Sequence, residues 1–210
     1  MLSIFLILII FLSVAIFFKL NLPTWKGQIG EAFTSTRLHT LDEKYYKILN
    51  NLMIPSYGNT RTTQIDHVVV SNFGIFCIET KMYKGWIFGN SNQEYWTQII
   101  YKYKKRFYNP IKQNFAHTNA IGTLLGAQRL KAPIISLIAF PSAEKLRVSG
   151  TDSVGGVDYI LSKIKNYTNF IYSDPERDEI FNLLISKNIL DDKIRENHSK
   201  EVSELKDKNY

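Results

Sequence analysis

Hydrophobic and polar positions change their spacing several times along this chain, and each change marks an element. Leu2 to Phe18 is a run of Ile, Leu, Phe, Val and other uncharged residues. That length is the lower limit for a membrane-spanning helix, and Lys19 can snorkel to extend the span through Leu22. A cleaved signal peptide normally has a basic leading region and a small-x-small site after its apolar core. Neither is present in the expected place, so the reading is an uncleaved single-pass anchor over 1–22. Lys19, Lys26 and Arg37 all follow the run, which by the positive-inside rule places the remainder at the cytoplasmic face of the cell membrane.

Residues 23–190 read as one domain. Gly27 to about Leu41 has helical spacing, with Ile29, Phe33 and Leu38 apolar. Tyr45–Ile54 reads as a strand and Pro55–Thr62 as a polar loop. Ile65–Val70 and Ile75–Ile78 are β-branched, apolar and separated by the turn cluster Ser71-Asn72-Phe73-Gly74, which predicts a hairpin. Gly85–Gly89 and Tyr95–Tyr101 suggest another, closed by Asn90-Ser91-Asn92. Asn109-Pro110 has the residues of an N-cap and first helical position, and a helix is expected from there to about Gly126. Pro133–Phe140 is a nearly continuous apolar run, expected to be a buried strand. Arg147–Ser149 suggests a short strand and Tyr159–Ile164 a helix. Ser173 with Glu176 has capping-box spacing before a last helix that turns Ile180, Leu183 and Leu184 inward. The charged segment 191–210 is expected to be frayed or disordered. This order of elements predicts an α/β sandwich around a mixed sheet.

The first hairpin carries candidate chemistry. If Val70 pairs with Ile75, Asp66 falls opposite Glu79. Like charges directly opposite on a sheet repel, and a divalent cation between them is the simplest compensation. Lys81 lies two residues beyond Glu79, on the same strand face. A carboxylate pair that binds metal, with a lysine beside it, suits hydrolysis of a phosphodiester. Glu-x-Lys by itself is more often a solvated strand face. His67 alternates to the face opposite Asp66 and reads as structural.

Charge and cysteine content narrow the picture. Of 210 residues, 26 are Lys or Arg, 19 are Asp or Glu and one is Cys. A lone Cys77 inside an apolar strand excludes an intramolecular disulfide and a multi-cysteine zinc site, and reads as an inert buried thiol. The positive balance concentrates between Lys81 and Lys112, where Lys84, Lys102, Lys104, Lys105 and Arg106 also lie and Glu94 is the single acid. Tyr95, Trp96, Tyr101, Tyr103, Phe107 and Tyr108 are interleaved with them. Basic and aromatic residues together suit a polyanion with stackable bases, and Lys84, Lys102, Lys104, Lys105, Arg106 and Lys112 are the candidate nucleic-acid contacts. A lysine-guarded strand edge or contact with anionic lipid headgroups are the alternatives.

Several of these pieces, in this order, resemble the NERD (nuclease-related) domain family, a branch of the PD-(D/E)xK nuclease-like superfamily. They are Gly27-x-x-Gly30-Glu31; Gln64-Ile65-Asp66-His67; and Gly74-Ile75-Phe76-x-Ile78-Glu79-Thr80-Lys81. Gly85 with Ile87 and Gly89, Trp96-x-Gln98, Asn109-Pro110-x-x-Gln113 and the strand ending in Phe140 follow. The resemblance covers about 25–141. It implies a restriction-endonuclease-like mixed sheet flanked by helices, and hydrolysis of phosphodiester bonds, DNA being the expected substrate, with Mg²⁺ or Mn²⁺. The metal ligands it implies are Asp66, Glu79, the Thr80 carbonyl and Glu31. Lys81 would orient the attacking water and stabilise transition-state charge, and Gln113, with Asn109 nearby, would support the site. Related nucleases often work as homodimers. The alternative to an enzyme is a nucleic-acid-binding or membrane-surface module that keeps the fold without catalysis, distinguishable by whether Asp66 and Glu79 bind metal.

Overall fold

The computed structural model describes residues 11–13, 25–56, 61–127, 130 and 133–208. Residues 11–13 are helical; the rest of the expected anchor lies outside the described residues. Among those that are described, no helix is long and apolar enough to cross a membrane.

The chain forms two mixed sheets flanked by helices. Helix α1 spans 25–38. Strands β1 (Tyr46–Pro55), β2 (Thr62–Ser71) and β3 (Gly74–Thr80) follow as an antiparallel meander, then β4 (Gly85–Asn90), β5 (Tyr95–Ile100) and β6 (Tyr103–Tyr108) as another. Helix α2 (Pro110–Ala127) returns the chain to β7 (Ile134–Ala139), which pairs parallel to β3. Strands β8 (Ala143–Ser149) and β9 (Val154–Gly155) precede helices α3 (Val157–Lys165), α4 (Asp174–Ser186) and α5 (Asp192–Lys208). The first sheet runs β1-β2-β3-β7-β9, and the second β6-β5-β4-β8.

Burial explains the layering. Strand β3 is buried along its whole length, because helices cover both faces of the first sheet. Phe76 and Ile78 turn to the side of Leu38, Ile160 and Ile164 from α1 and α3. Ile75 and Cys77 turn to Ile121, Leu125, Ile180 and Leu184 from α2 and α4. A third cluster joins the sheets: Ile87, Trp96 and Phe107 of the second pack with Ile138 of β7 and Phe140 just after it. Gly89 permits this, since a Cβ there would sit 2.3 Å from the Trp96 ring.

The hairpin register is the expected one, with Val70 opposite Ile75 and His67 opposite Ile78. Its turn is tighter than expected. Ser71 and Gly74 already pair, leaving Asn72 and Phe73 as the loop, and the Ser71 hydroxyl binds the Phe73 amide and the Gly74 carbonyl. The capping box of α4 forms as expected, with Ser173 and Glu176 reciprocally bonded. Strand β6 was not foreseen, and β8 is longer than the segment 147–149.

The segment expected to be disordered is helical from Asp192 to Lys208. Asp191 caps the Ile194 amide, Arg195 binds the Asn51 and Ile189 carbonyls, and His198 Nδ1 lies 3.0 Å from Thr62 Oγ1. These tertiary bonds fix a helix whose composition alone would not hold it.

Asn109 places α2. Its side-chain oxygen accepts the Ile111 amide as an N-cap, while its amide nitrogen donates to the carbonyls of Ser91 and Gln93 at 3.0 and 2.6 Å. Asn109→Ala is expected to cost about 2–3 kcal/mol, a cap plus buried carbonyls left unpaired. Urea denaturation checks this; a cost under about 0.5 kcal/mol would mean that these bonds do not position the helix.

Candidate active site

Four side chains meet where β3 leaves the first sheet beside α2. The alternation that sends Phe76 and Ile78 towards α1 sends Glu79 towards α2. There Glu79 is 2% exposed, and three donors take up its oxygens. Lys81 Nζ and Gln113 Nε2 approach Oε1 at 2.5 and 2.7 Å, and Lys81 also reaches Gln113 Oε1 at 2.9 Å. His117 Nε2, one turn along α2, lies 3.2 Å from Oε2. A carboxylate can only accept, so Nε2 is the donor, with His117 Nδ1 turned to Thr63 Oγ1 at 2.6 Å.

Asp66 of β2 is half-buried, with Oδ2 accepting the Thr80 amide at 2.7 Å. It also lines a cleft of about 280 Å³ beneath α1, together with Glu31, Asn50 and His67. Glu31 enters that cleft because α1 lies close to the end of β3: a Cβ on Gly30 would come within 2.8 Å of Met82 Cβ. A larger groove, about 570 Å³, lies elsewhere between Gln64 and α5 and holds none of these groups.

The electrostatics divide the carboxylates. Burial would raise Glu79, but the Lys81 charge and the His117 bond hold it down at about 2. Burial, then the charges of Glu79 and Glu31, push Asp66 well above the usual carboxylate range. Glu31 is raised by burial and by Glu79. Lys81 is raised, burial notwithstanding, by Glu79. Burial and mutual repulsion thus work against the charges of Asp66 and Glu31, while Lys81 and His117 favour that of Glu79.

On the α1 side, burial lowers His67 to about 4. Its Nδ1 is 2.7 Å from Asn50 Oδ1, while Nε2 and the nearby strand residue Thr80, through Oγ1, are buried without a protein partner. The expected alternation puts His67 on the face opposite Asp66, yet both line the same cleft beneath α1.

The donors available for a metal are hard oxygens, and an orphaned polar lining together with a disfavoured carboxylate charge is what a bound cation and its waters relieve. That donor chemistry is of the kind Mg²⁺ and Mn²⁺ take. The set is no closed cage: among the described residues, no three His, Cys, Asp or Glu side chains are grouped to hold a metal ion.

Over more than half its length the chain also matches a known family: the model of the nuclease-related domain, NERD, matches residues 26–141. The chain belongs to the NERD family. A relative from Bacillus anthracis, an uncharacterized protein, is 38% identical over 187 residues, covering 87% of this chain and 86% of that one. No solved structure gives a significant match.

Within the NERD domain, Glu79, Lys81 and Gln113 are in direct contact, while Asp66 and Glu31 line the cleft beneath α1. Asn109 acts on the helix and the 90–93 turn, without reaching the carboxylates. Thr80 meets Asp66 through its amide. The candidate nucleic-acid residues do not share one surface: Lys104 and Arg106 face one side of β6, Lys105 alternates to the other, Lys102 lies in the β5–β6 turn, Lys84 precedes β4, and Lys112 is on α2. His117 and Thr63 were missed as site residues, although the four-residue spacing from Gln113 to His117 was the available signal. Asn114 was missed as well. It is fully buried and donates to the Cys77 and Leu137 carbonyls and to Ser136 Oγ, fixing α2 on β3 and β7. The Cys77 thiol, held protonated by burial, donates to Asn114 Oδ1.

Proposed function

We propose that this protein is a metal-dependent nuclease that hydrolyses phosphodiester bonds, with DNA as substrate. The observation that carries the reading is the buried contact of Lys81 with Glu79 and Gln113, with Asp66 bonded to the amide of Thr80, which lies between Glu79 and Lys81 in the chain. The order of the β1-β2-β3-β7 strands, with Glu79 at the end of the central one, supports a restriction-endonuclease-like arrangement. The apolar run Leu2–Phe18 supports a membrane anchor, on sequence alone.

Asp66, Glu79 and the Thr80 carbonyl, with Glu31 from the cleft wall, would hold Mg²⁺. When bound, the ion supplies positive charge at the non-bridging phosphate oxygens. Glu79 and Gln113 hold the Lys81 ammonium at two of its three donor positions. The third can meet the attacking water or a phosphate oxygen as negative charge accumulates there. His117, braced by Thr63, fixes the Glu79 rotamer. Water adds to phosphorus, the bond to the leaving sugar oxygen breaks, and the proton lost by water ends on that oxygen, leaving a phosphate monoester.

A second reading is favoured by one observation: both oxygens of Glu79 already have protein donors. A non-catalytic module that binds nucleic acid could keep this network as pure structure. Incubation of the purified protein with supercoiled plasmid and Mg²⁺ or Mn²⁺ separates the two. Nicking that disappears in EDTA and in Lys81→Ala is the expected result. Plasmid left intact by a folded protein that also fails to bind Mn²⁺ would favour the module.

A further inference from the structure

The second sheet has a face turned away from the core, whose residues come into line only through strand pairing. Ile87, Trp96 and Phe107 point inward to the core, so their strand neighbours point out. Pairing sets Lys104, Ile99, Trp86 and Lys145 in one row across β6-β5-β4-β8. Arg106, Thr97, Phe88 and Arg147 form the next. Each row thus has a cation at either end and an aromatic ring on β4 between them. With strands about 4.8 Å apart, the two basic rails stand about 14 Å from each other. Neither row contains a carboxylate.

Trp86 is presented to solvent, with Phe88 half-buried beside it. Trp86 is 45% exposed, a large area for an indole that could otherwise be buried. Its ring and that of Phe88 are 6.2 Å apart, Lys145 Nζ lies 4.5 Å from the Trp86 centroid, and Arg106 lies 4.8 Å from that of Tyr95. Lysines that only guarded an edge against aggregation would not need exposed rings in the middle of the sheet.

We infer that this face is a platform for single-stranded nucleic acid, on which bases stack against Trp86 and Phe88 while phosphates follow the basic rails. The ligand must be single-stranded, because the π-faces of bases in a duplex are already occupied by their neighbours. Lys145 and Arg147 come from β8, outside the basic segment 81–112. Trp86 follows Lys81 by five residues, at most about 18 Å of extended chain. The inference concerns a second surface and stands apart from whether that site cleaves.

The test is fluorescence anisotropy of a labelled 20-nucleotide oligothymidylate with the full chain in EDTA, where hydrolysis cannot intrude. Trp86→Ala should weaken binding about ten-fold or more, the worth of one stacked base. Trp86→Phe should restore most of it, and both variants should melt within a few degrees of the native protein. Lys104→Gln with Arg147→Gln should flatten the salt dependence of binding. Affinity for the duplex of the same length should not respond to Trp86→Ala. Unchanged oligothymidylate binding in Trp86→Ala overturns the platform. So does a loss confined to vesicles of phosphatidylcholine and phosphatidylserine, which would mark a lipid-facing surface. Failure of the nuclease reading looks different: tight, Trp86-dependent binding with no metal-dependent cleavage.

Discussion

Asp66→Asn is expected to stabilise the metal-free protein at pH 7.5 while abolishing metal-dependent cleavage. The carboxylate has two acidic neighbours, Glu79 and Glu31, and burial disfavours its charge further. Asparagine keeps an oxygen for the Thr80 amide and removes the charge, so a gain of about 0.5–2 kcal/mol is expected, typical of relieving a functional site. The pH dependence follows from the sign of each shift. Asp66 and Glu31 bind their protons more tightly in the folded state than unfolded, so they cost stability at neutral pH and that cost is relieved on acidification. Glu79 behaves oppositely. Held at about 2 against an ordinary 4.5, it contributes stability that is full above about 4.5 and lost as pH falls towards 2. His67, which burial holds at about 4, costs the fold stability on acidification, so the Asp66 contribution is read by difference: from pH 7.5 to pH 5 in EDTA, the native protein should gain stability relative to Asp66→Asn. Denaturation by urea at the two pH values measures it. A destabilised Asp66→Asn protein at pH 7.5 would show that the Asp66 charge is satisfied without a cation.

Lys81 and Glu79 should show the strongest energetic coupling in the molecule. Lys81→Ala leaves Glu79, whose side chain is 3% exposed, without its cation. Breaking a buried ion pair in this way typically costs about 3–5 kcal/mol. Glu79→Gln leaves Lys81 in place, and its side chain, 18% exposed, can turn towards water, so a smaller cost of about 1–3 kcal/mol is expected. The double variant should be less destabilised than the sum by about 1–3 kcal/mol. All three should lose cleavage by at least about 10²-fold, the scale of removing one group that stabilises transition-state charge. Strict additivity in the stability cycle would mean that the contact has no energetic content and that the Lys81 ammonium is held by Gln113 alone.

The parts of this protein that were legible in the sequence are those where one local signal decides the structure. The hairpin register was readable because β-branched runs flank a turn cluster, and from it the juxtaposition of Asp66 and Glu79 followed by counting. The start of α2 was readable because Asn109-Pro110 fits only one place in a helix. What escaped was decided by distant partners. Strand β6 reads Tyr-Lys-Lys-Arg-Phe-Tyr, with Phe107 its one buried side chain, and it exists because β5 offers it a free edge. Helix α5 is charged throughout and is held by Asn51, Ile189 and Thr62. Asn114 looked like any polar helix residue. Its position seven residues before Ile121, on the buried side of α2, is the sign that it had to find polar partners inside.

The chain leaves the first sheet at Lys81 and begins its return at Asn109, so the whole excursion 82–108 is tied off at the Glu79–Lys81–Gln113 contact. That excursion holds β4, β5 and β6, with both aromatic rings of the exposed rows, and meets the rest of the second sheet only through β8. Its first end is anchored at the site itself, and its inward side chains Ile87, Trp96 and Phe107 are fixed by packing, while those facing outward take no part in that core. Relatives could therefore exchange the surface that selects a ligand and inherit the reaction centre unchanged, much as a tool accepts different jaws on one handle.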